Sequence, residues 1–301
     1  MSGGLISVLM PVFNAESFLE RSIESILQQS YPILQFIIIN DGSKDGSADI
    51  IRRYADRDKR IMFIDRRENK GLVYTLNEGL SHCKGEFIAR MDADDYSHKD
   101  RFEIQLNYLN SNTDIQILGS SYRVIVQDRS TRSIVRVYPR LYFGFKNMIN
   151  TFLCHPSVIF RKSIINNMPA YQNFEAEDFE FFSRILLHFR GFNLPNVLLD
   201  YREHELNRSS QAKEEIREST KIIFRRNYNE LCGNLFLSDR VFDFFENRKR
   251  LSLYTPLVVL KSVYMLNKLR KRYQIPLFAK ENLLSLTHLF RESVKLDQYV
   301  R

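Results

Sequence analysis

The sequence lacks any long uninterrupted apolar run. No stretch approaches the about eighteen consecutive apolar residues that a membrane-spanning helix needs. The N-terminus enters a strand-like pattern within a few residues, without the charged segment and small-residue cleavage site of a secretory signal. We therefore expect a cytoplasmic protein that does not span a membrane.

The chain is also poor in cysteine, glycine and proline, and it has no tryptophan. Its three cysteines, Cys83, Cys154 and Cys232, have the spacing of neither a disulfide framework nor a metal site. We expect them to be buried small apolar side chains. With 11 Gly, 8 Pro and 44% hydrophobic residues among 301, the chain is globular and buries one large core or two modest ones.

Basic residues are enriched in the last third of the chain. Residues 213–301 hold 18 basic and 10 acidic side chains, so they carry the whole net charge of +8. Such asymmetry indicates an anionic partner for this region. A nucleic acid is not expected, because the region has neither a recognisable reader motif nor the interleaved aromatics of a stacking surface.

Residues 248–272 begin with Arg248-Lys-Arg250 and end with Lys268-Leu-Arg-Lys-Arg272, around an apolar middle broken by Pro256 and Lys261. One interpretation is a helix that lies on an anionic membrane surface, held there by the basic residues. The other is a helical hairpin packed on the rest of the protein, with solvated basic ends. The pattern favours neither.

The first third of the chain alternates short apolar runs with helical patterns. The predicted strands cover residues 5–10, 36–39, 61–64 and 86–91, with the first ended by Pro11, and the predicted helices cover residues 14–29, 47–57 and 72–82. Asn14 is the predicted cap of the first helix. This alternation with short connections is typical of a parallel sheet with right-handed crossovers.

The pattern is looser downstream. It predicts helices at residues 99–109 and 179–189, strands at residues 115–126, 134–138, 157–160 and 194–201, and mostly helix from about residue 212. We find neither an internal repeat nor a low-complexity linker.

Three carboxylates, Asp92, Asp94 and Asp95, follow the fourth predicted strand within four positions. Ligands of α/β proteins bind outside the carboxyl ends of parallel strands, so acids placed there can hold a divalent cation and its polyphosphate. The alternative is a solvated, Asp-rich turn. The other early strands also end in polar residues, which places polar groups along one edge of the sheet.

Five ordered motifs resemble those of family 2 glycosyltransferases, enzymes of GT-A fold that act on nucleotide sugars. They are Ile6-Ser-Val-Leu-Met-Pro-Val-Phe-Asn14, Ile39-Asn-Asp-Gly-Ser43, Met91-Asp-Ala-Asp-Asp95, Glu177-Asp178 and residues 197–204. The resemblance covers about residues 5–210. It implies an α/β fold with a GT-A (Rossmann-like), mostly parallel sheet flanked by helices in residues 1–212, followed by a basic α-helical C-terminal extension in residues 213–301.

The resemblance also implies a site for Mn²⁺ or Mg²⁺. Asp94 would be the direct ligand, Asp92 would contact the ribose or the metal, and Asp95 would support the loop or meet the donor sugar; the sequence does not separate the three. A hard cation held by carboxylates neutralises the departing nucleoside diphosphate. His204 would add a late metal or pyrophosphate contact, the alternative being a structural histidine.

For the nucleotide, the resemblance implies that Pro11, Val12 and Glu16 line the base and ribose end of the pocket. It further implies that Asp41 accepts a hydrogen bond from the base. The alternative for Glu16 is a first-turn acid favoured by the helix dipole, and for Asp41 an Asx-type turn. Lys70 either steadies the phosphates or is solvated.

For the chemical step, the resemblance implies that Asp178 is the general base that deprotonates the acceptor hydroxyl. The alternative for Glu177 and Asp178 is helix capping. Glu177 and His155 would border the donor sugar or the acceptor, and the alternative for His155 is a structural role in its loop.

The implied function is metal-dependent, inverting transfer of one sugar from a nucleotide sugar, with a UDP-sugar favoured. The acceptor would be a hydroxyl of a glycan or lipid-linked molecule in surface polysaccharide synthesis, at the cytoplasmic face of the membrane. Processive synthases of the family add a Gln/Arg-x-x-Arg-Trp motif and membrane spans, which this chain lacks. A catalytically silent GT-A domain that serves as a binding or assembly module is the alternative.

Two other enzyme classes fit less well. The DxD of haloacid-dehalogenase-like phosphatases opens the domain, whereas three predicted strands precede this one. A Rossmann dehydrogenase needs GxGxxG after the first strand, and the chain does not have it.

Overall fold

The computed structural model describes residues 4–126, 129–135, 140–149, 152–204, 212–233, 242 and 255–295. The chain divides into two compact units. The first comprises Met1–Arg136, Leu153–Asn173 and Asn193–Asn207, and the second comprises Val137–Phe152, Phe174–Phe192 and Arg208–Arg301. The predicted boundary between residues 212 and 213 stays a prediction.

Strands and helices alternate first and helices dominate later. The strands are β1 (Ile6–Val12), β2 (Leu34–Asp41), β3 (Ile61–Arg66), β4 (Phe87–Arg90), β5 (Tyr96–Ser97), β6 (Ile115–Val126), β7 (Arg129–Ile134), β8 (Ile159–Arg161) and β9 (Arg190–Glu203). The helices are α1 (Glu16–Leu27), α2 (Ser47–Arg57), α3 (Leu72–His82), α4 (Arg101–Ser111), α5 (Arg140–Ile149), α6 (Ser163–Asn167), α7 (Glu177–His188), α8 (Lys213–Cys232), α9 (Thr255–Arg272) and α10 (Lys280–Lys295).

The described strands form one sheet in the order β3-β2-β1-β4-β8-β6-β9-β5, with β7 paired to β6. The four strands β3, β2, β1 and β4 are parallel neighbours. The strands β8, β7 and β5 join by antiparallel pairing to β4, β6 and β9. The predicted α/β class, with parallel strands flanked by helices, is confirmed.

The central strands are apolar because both faces of the sheet are covered. In β2, Phe36, Ile37, Ile38 and Ile39 are fully buried, and β1 is equally apolar. The predicted end of β1 at Pro11 is wrong, since the strand continues to Val12 and pairs Pro11 with Ile39. Pairing of β1 with β4 stops at Leu9, so Pro11 needs a ladder partner on one side only.

The predicted cap of the first helix is also wrong. Ala15, rather than Asn14, precedes α1 as its N-cap residue. Asn14 has a positive φ of 49°, a conformation that asparagine tolerates better than most residues. Its side-chain carbonyl accepts a hydrogen bond from the backbone N–H of Lys44 at 2.9 Å. Asn14 therefore joins two loops at the end of the sheet.

Other boundaries differ where tertiary pairing overrides the local pattern. β7 forms a hairpin with β6 at Arg129–Ile134. The predicted strand spans residues 134–138, of which 136–138 lie outside the described part. His155–Ser157 form a 3-10 turn, so β8 begins at Ile159. α7 begins at Glu177, two residues before the prediction, and β9 is longer than predicted at both ends.

The second unit has a core of its own. Its buried side chains come from α5, α7, α8, α9, α10 and Phe242, and they include Phe145, Leu187, Phe224, Met265, Leu269 and Leu289. The predicted helical C-terminal extension is thus confirmed, whereas the basic segment Arg248-Lys-Arg250 lies outside the described residues. Among the helices that the structure describes, none is both long and apolar enough to cross a membrane.

The cysteine prediction is confirmed for two of the three residues. Cys83 and Cys232 are buried and Cys154 is half-buried, and all three are free thiols.

Candidate active site

The three carboxylates lie together in the turn between β4 and β5. One ligand oxygen from each of Asp92, Asp94 and Asp95 lies within 4.8 Å of the other two. The short strand β5 then pairs with β9, setting Tyr96 opposite Asp200. Because β9 continues past that pair, the pairing brings Arg202 and His204 to the carboxylate turn.

Asp95 is the innermost of the three acids, with 2% of its surface exposed. Its Oδ1 accepts a hydrogen bond from the backbone N–H of Arg202 at 2.8 Å, and its carbonyl accepts one from the Ser22 hydroxyl at 2.5 Å. Its Oδ2 is buried without a hydrogen-bond partner among the described residues. Burial first, and then the charges of Asp94 and Asp92, raise the pKa of Asp95 well above its usual value.

Asp94 is held from the side of β9. Its Oδ2 lies 2.9 Å from Nε2 of His204, whose ring stacks on Phe18 with centroids 5.4 Å apart. The Arg202 guanidinium lies over the Phe18 ring, 4.6 Å from its centroid, and donates to the Asp94 carbonyl at 3.2 Å. Burial and the Asp92 charge raise the pKa of Asp94, and the hydrogen bond from His204 opposes that rise.

Two buried arginines next to the turn were not predicted as site residues. Arg90, the last residue of β4, is 3% exposed and donates to Asp92 Oδ1 at 2.5 Å. Arg101 is fully buried and donates to the Arg90 carbonyl at 2.9 Å. Its burial lowers the pKa of the Arg101 guanidinium to about 9. The sequence feature that could have indicated the role of Arg90 is its position at the end of an otherwise apolar strand, just before three acids.

This donor set fits a hard divalent cation. Carboxylate oxygens are the ligands that Mg²⁺ and Mn²⁺ prefer, and three of them converge here. A buried acceptor such as Asp95 Oδ2 is costly unless something satisfies it. The cluster contains all four residues predicted to bind the metal or to lie beside it, which are Asp92, Asp94, Asp95 and His204.

Glu16 and the end of β1 form a second part of the same edge. Val12 is buried and Pro11 is half-buried. Glu16 is the first residue of α1, and its carboxylate accepts from the backbone N–H of Gly46 at 2.9 Å. A Cβ on Gly46 would lie 2.5 Å from a carboxylate oxygen of Glu16. Glycine at this position therefore permits the close contact.

Asp41 ends β2 and anchors the loop that leads to α3. Its Oδ1 accepts from the backbone N–H of Lys70 at 2.9 Å and from Arg66 at 2.8 Å. Its Oδ2 accepts from the backbone N–H of Gly71 at 2.9 Å. The Asx-type bond in this turn belongs instead to Asn40, which accepts from the backbone N–H of Ser43 at 3.2 Å.

An aromatic face beside Asp41 was not predicted. Tyr74, on the first turn of α3, is 55% exposed, and the Arg66 guanidinium lies over its ring at 4.7 Å from the centroid. Lys70 is half exposed, and its ammonium lies 3.6 Å from Glu68.

His155 lies in the first unit, in the 3-10 turn before β8. Its Nε2 is 3.0 Å from the Tyr171 hydroxyl. Burial first, and the Arg90 charge second, lower the pKa of His155 well below its usual value. The imidazole is therefore neutral near pH 7.

Glu177 and Asp178 belong to the second unit, where they open α7. Glu177 is buried, and Asp178 Oδ1 accepts the backbone N–H of Phe179 at 2.6 Å. Ala176 is the N-cap residue, so the two acids occupy the first turn, where the helix dipole favours negative charge. Their roles in donor or acceptor contact and as general base stay predictions.

Comparisons with known proteins agree with these features. The family model described as glycosyl transferase family 2 matches residues 7–168. The O-antigen biosynthesis glycosyltransferase WbnJ of Escherichia coli is 34% identical over 218 residues, which cover 69% of this chain and 82% of WbnJ.

Solved structures share the fold at low sequence identity. TarS of S. aureus in complex with UDP-GlcNAc has a TM-score of 0.65 at 17% identity, covering 97% of this chain and 88% of TarS. The mannosyltransferase PcManGT from Pyrobaculum calidifontis, in complex with GDP-Man and Mn²⁺, has a TM-score of 0.59 at 14% identity, covering 100% of this chain and 89% of that chain. The predicted family, GT-A fold and enzyme class are thereby confirmed. This chain belongs to glycosyltransferase family 2.

Proposed function

We propose that this glycosyltransferase moves one sugar from a nucleotide sugar to a hydroxyl of a glycan or lipid-linked acceptor in surface polysaccharide synthesis. A UDP-sugar is the favoured donor, and Mn²⁺ or Mg²⁺ is the cofactor. The supporting observation is the carboxylate turn, in which three acids converge and Asp95 keeps a buried oxygen without a hydrogen-bond partner among the described residues. The UDP-GlcNAc complex of TarS and the O-antigen role in the name of WbnJ support the donor and the pathway.

Asp94, Asp92 and Asp95 would hold the cation, with His204 beside Asp94. When bound, the ion neutralises charge on the departing nucleoside diphosphate. The protein's own contribution is to fix these carboxylates in advance. Arg90 holds Asp92, while hydrogen bonds from Arg202 and His204 hold Asp95 and Asp94. Little reorganisation is therefore needed when the donor arrives.

The nucleotide would lie along the ends of β1 and β2, bordered by Pro11, Val12 and Glu16. Asp41 would accept a hydrogen bond from the base. Its Oδ2 accepts a hydrogen bond from the backbone N–H of Gly71, and a carboxylate oxygen has the capacity to accept two. The contacts from Lys70 and Arg66 fall on the other oxygen, so they orient the carboxylate for this role.

Asp178 would take the proton from the acceptor hydroxyl as the oxygen attacks the anomeric carbon. The bond from that carbon to the diphosphate oxygen breaks in the same step, so the anomeric configuration is inverted. Glu177 and His155 would border the donor sugar or the acceptor. The neutral state of His155 fits a hydrogen-bonding role better than a charged one.

The metal and the donor are tested together. Purified protein with a panel of UDP-, GDP- and dTDP-sugars should release nucleoside diphosphate when Mn²⁺ or Mg²⁺ is supplied, and EDTA should stop it. Asp94→Asn should lower this rate by about 100-fold or more, because a metal contact contributes several kcal/mol to the transition state. Asp49→Asn, at an 85% exposed carboxylate of α2, is the matched control and should be near wild type.

Failure to bind or hydrolyse any donor of the panel would overturn the proposed reaction. Tight donor binding without turnover, in the presence of acceptors, would instead indicate the silent binding module.

The general base is tested separately. Asp178→Asn should lower kcat for transfer by about 10²- to 10⁴-fold, the range for loss of a positioned base, while the KM for the donor stays near wild type. An unchanged kcat would assign Asp178 to the first turn of α7 alone.

A cytoplasmic location with peripheral contact to the inner face of the plasma membrane, through residues 213–301, completes the proposal. The excess of basic over acidic residues in that region supports an anionic surface as the partner.

A further inference from the structure

The loop before α10 and the first turns of that helix expose large apolar side chains. Leu277 and Phe278 are 60% and 96% exposed, and Leu283 and Leu286 are 66% and 40% exposed. All four belong to the second unit. We call them the Leu–Phe surface. Singly exposed leucines are ordinary, but clustering within ten residues is typical of an interaction site.

The first turns of α10 bury polar side chains and expose apolar ones, the reverse of the usual amphipathic pattern. Asn282 and Ser285 are buried, while the leucines between and after them face outward. The buried side is not well paired, since Ser285 Oγ and Asn282 Oδ1 have no hydrogen-bond partner among the described residues. Leu289 is buried one turn later and packs into the core of the second unit. The outward direction of Leu283 and Leu286 is therefore a feature of how the helix docks.

Basic side chains flank this surface. Lys271 lies at the end of α9 and Lys280 at the start of α10, and both are exposed. Residues 255–295 contain eight basic and two acidic side chains. A second copy docked through the same surface would bring like charges together, which opposes self-association. An anionic surface would meet both the charge and the apolar side chains.

We propose that the Leu–Phe surface inserts into the interfacial region of an anionic lipid bilayer. Phe278 and Leu277 enter the boundary between headgroups and acyl chains, Leu283 and Leu286 lie along it, and Lys271 and Lys280 contact lipid phosphates. Insertion of the apolar side chains and electrostatic attraction of the lysines together give reversible membrane binding that is stronger than either contribution alone. This assignment deepens the proposed function. Its biological role rests on the proposed lipid-linked acceptor, whereas membrane binding itself does not depend on that acceptor.

Because the chain has no tryptophan, a single tryptophan introduced at position 278 reports the environment of that position by its fluorescence. In Phe278→Trp the emission should shift to the blue and be quenched by brominated lipid when vesicles of phosphatidylcholine and phosphatidylglycerol are added. Ile33→Trp, at a 48% exposed apolar position of the first unit, is the matched control and should not respond. An unshifted Phe278→Trp spectrum would overturn the proposal.

Co-sedimentation of the full chain separates the two contributions. Phe278→Ser and Leu283→Ser should each bind the anionic vesicles about tenfold more weakly, as expected for loss of a buried apolar side chain, and Ile33→Ser should not. Lys271→Gln with Lys280→Gln should weaken binding and reduce its dependence on salt. Equal binding by wild type and Phe278→Ser would contradict the assignment.

Two further measurements distinguish membrane binding from self-association and from the proposed reaction. A dimer seen by analytical ultracentrifugation that Phe278→Ser abolishes, without vesicle binding, would assign the surface to a second copy and overturn the proposal. Donor hydrolysis is measured without vesicles and should be the same in Phe278→Ser and wild type. Vesicle binding that persists in a protein without hydrolysis would sink the proposed reaction and leave this surface intact.

Discussion

Arg90 places a buried positive charge against an acid that is itself a candidate metal ligand. Its guanidinium contacts Asp92, and Arg101 supports it through the Arg90 carbonyl. Three clustered carboxylates repel one another. The positive charges of these arginines therefore offset part of the negative charge of the turn when no cation is bound. The arrangement explains how the acids remain together before metal and donor arrive.

Arg90→Met should therefore destabilise the protein most when metal is absent. We expect a loss of about 2 kcal/mol in unfolding free energy in EDTA, below the usual cost of breaking a buried pair because Asp92 is 31% exposed. Saturating Mn²⁺ should restore part of this loss, so the metal-induced rise in Tm should be larger than in wild type.

Arg52→Met is the control, since its ion pairs with Asp49 and Asp65 are solvent-exposed. It should change the unfolding free energy by less than about 0.5 kcal/mol. An equal Mn²⁺ shift in Arg90→Met and wild type would contradict the compensating role of Arg90.

His155 should make stability depend on pH. Its folded-state pKa lies well below the usual 6.5, so the unfolded chain binds a proton first as the pH falls. Its contribution is present above about pH 6.5 and is lost on acidification, by about 1.4 kcal/mol per pH unit. His155→Gln should flatten this part of the profile from urea unfolding, whereas Tyr171→Phe keeps the imidazole and should retain it. Identical slopes in His155→Gln and wild type would show that other groups cause the dependence.

At the scale of elements, two loops at the carboxyl edge depend on glycine. Gly42, after β2, has φ +75°, and a Cβ there would lie 2.5 Å from the backbone carbon of Glu68. Gly71, before α3, has φ +88°, and a Cβ there would meet nothing within 4 Å. The first position combines strain with a clash, and the second has strain alone.

Alanine at the two positions should therefore differ in cost. We expect Gly71→Ala to lower the unfolding free energy by about 1–2 kcal/mol, from backbone strain. Gly42→Ala should cost about 3 kcal/mol or more, because the backbone around Glu68 must also move. Urea unfolding measures both, and equal losses would show that the clash at Gly42 relaxes freely.

At the scale of the whole molecule, ligand binding should raise stability by mass action. With saturating Mn²⁺, UDP at 100 times its Kd should add about 2.7 kcal/mol to the unfolding free energy. EDTA should remove most of this gain, because the diphosphate would then face the carboxylates without a cation. Calorimetry with UDP alone, UDP with Mn²⁺ and Mn²⁺ alone tests it. A full gain in EDTA would contradict a metal-bridged diphosphate.

Helix and strand positions in the first unit could be predicted because their signals are local. Four parallel strands with apolar residues on both faces, and the helices between them, follow from periodicity within windows of ten residues. The misplaced boundaries, at Asn14, Pro11 and β7, are those at which a loop contact or a strand partner outweighs the local pattern.

The sequence by itself determined the α/β class, the family and the identity of the acids, because apolar periodicity and ordered motifs are written along the chain. Only the tertiary structure decided which side chains surround those acids. The pairing of β5 with β9 brings Arg202 and His204 to Asp95 and Asp94 across 107 and 110 positions. Likewise, burial of Arg90 and exposure of Phe278 depend on packing partners distant in sequence, which local periodicity does not encode.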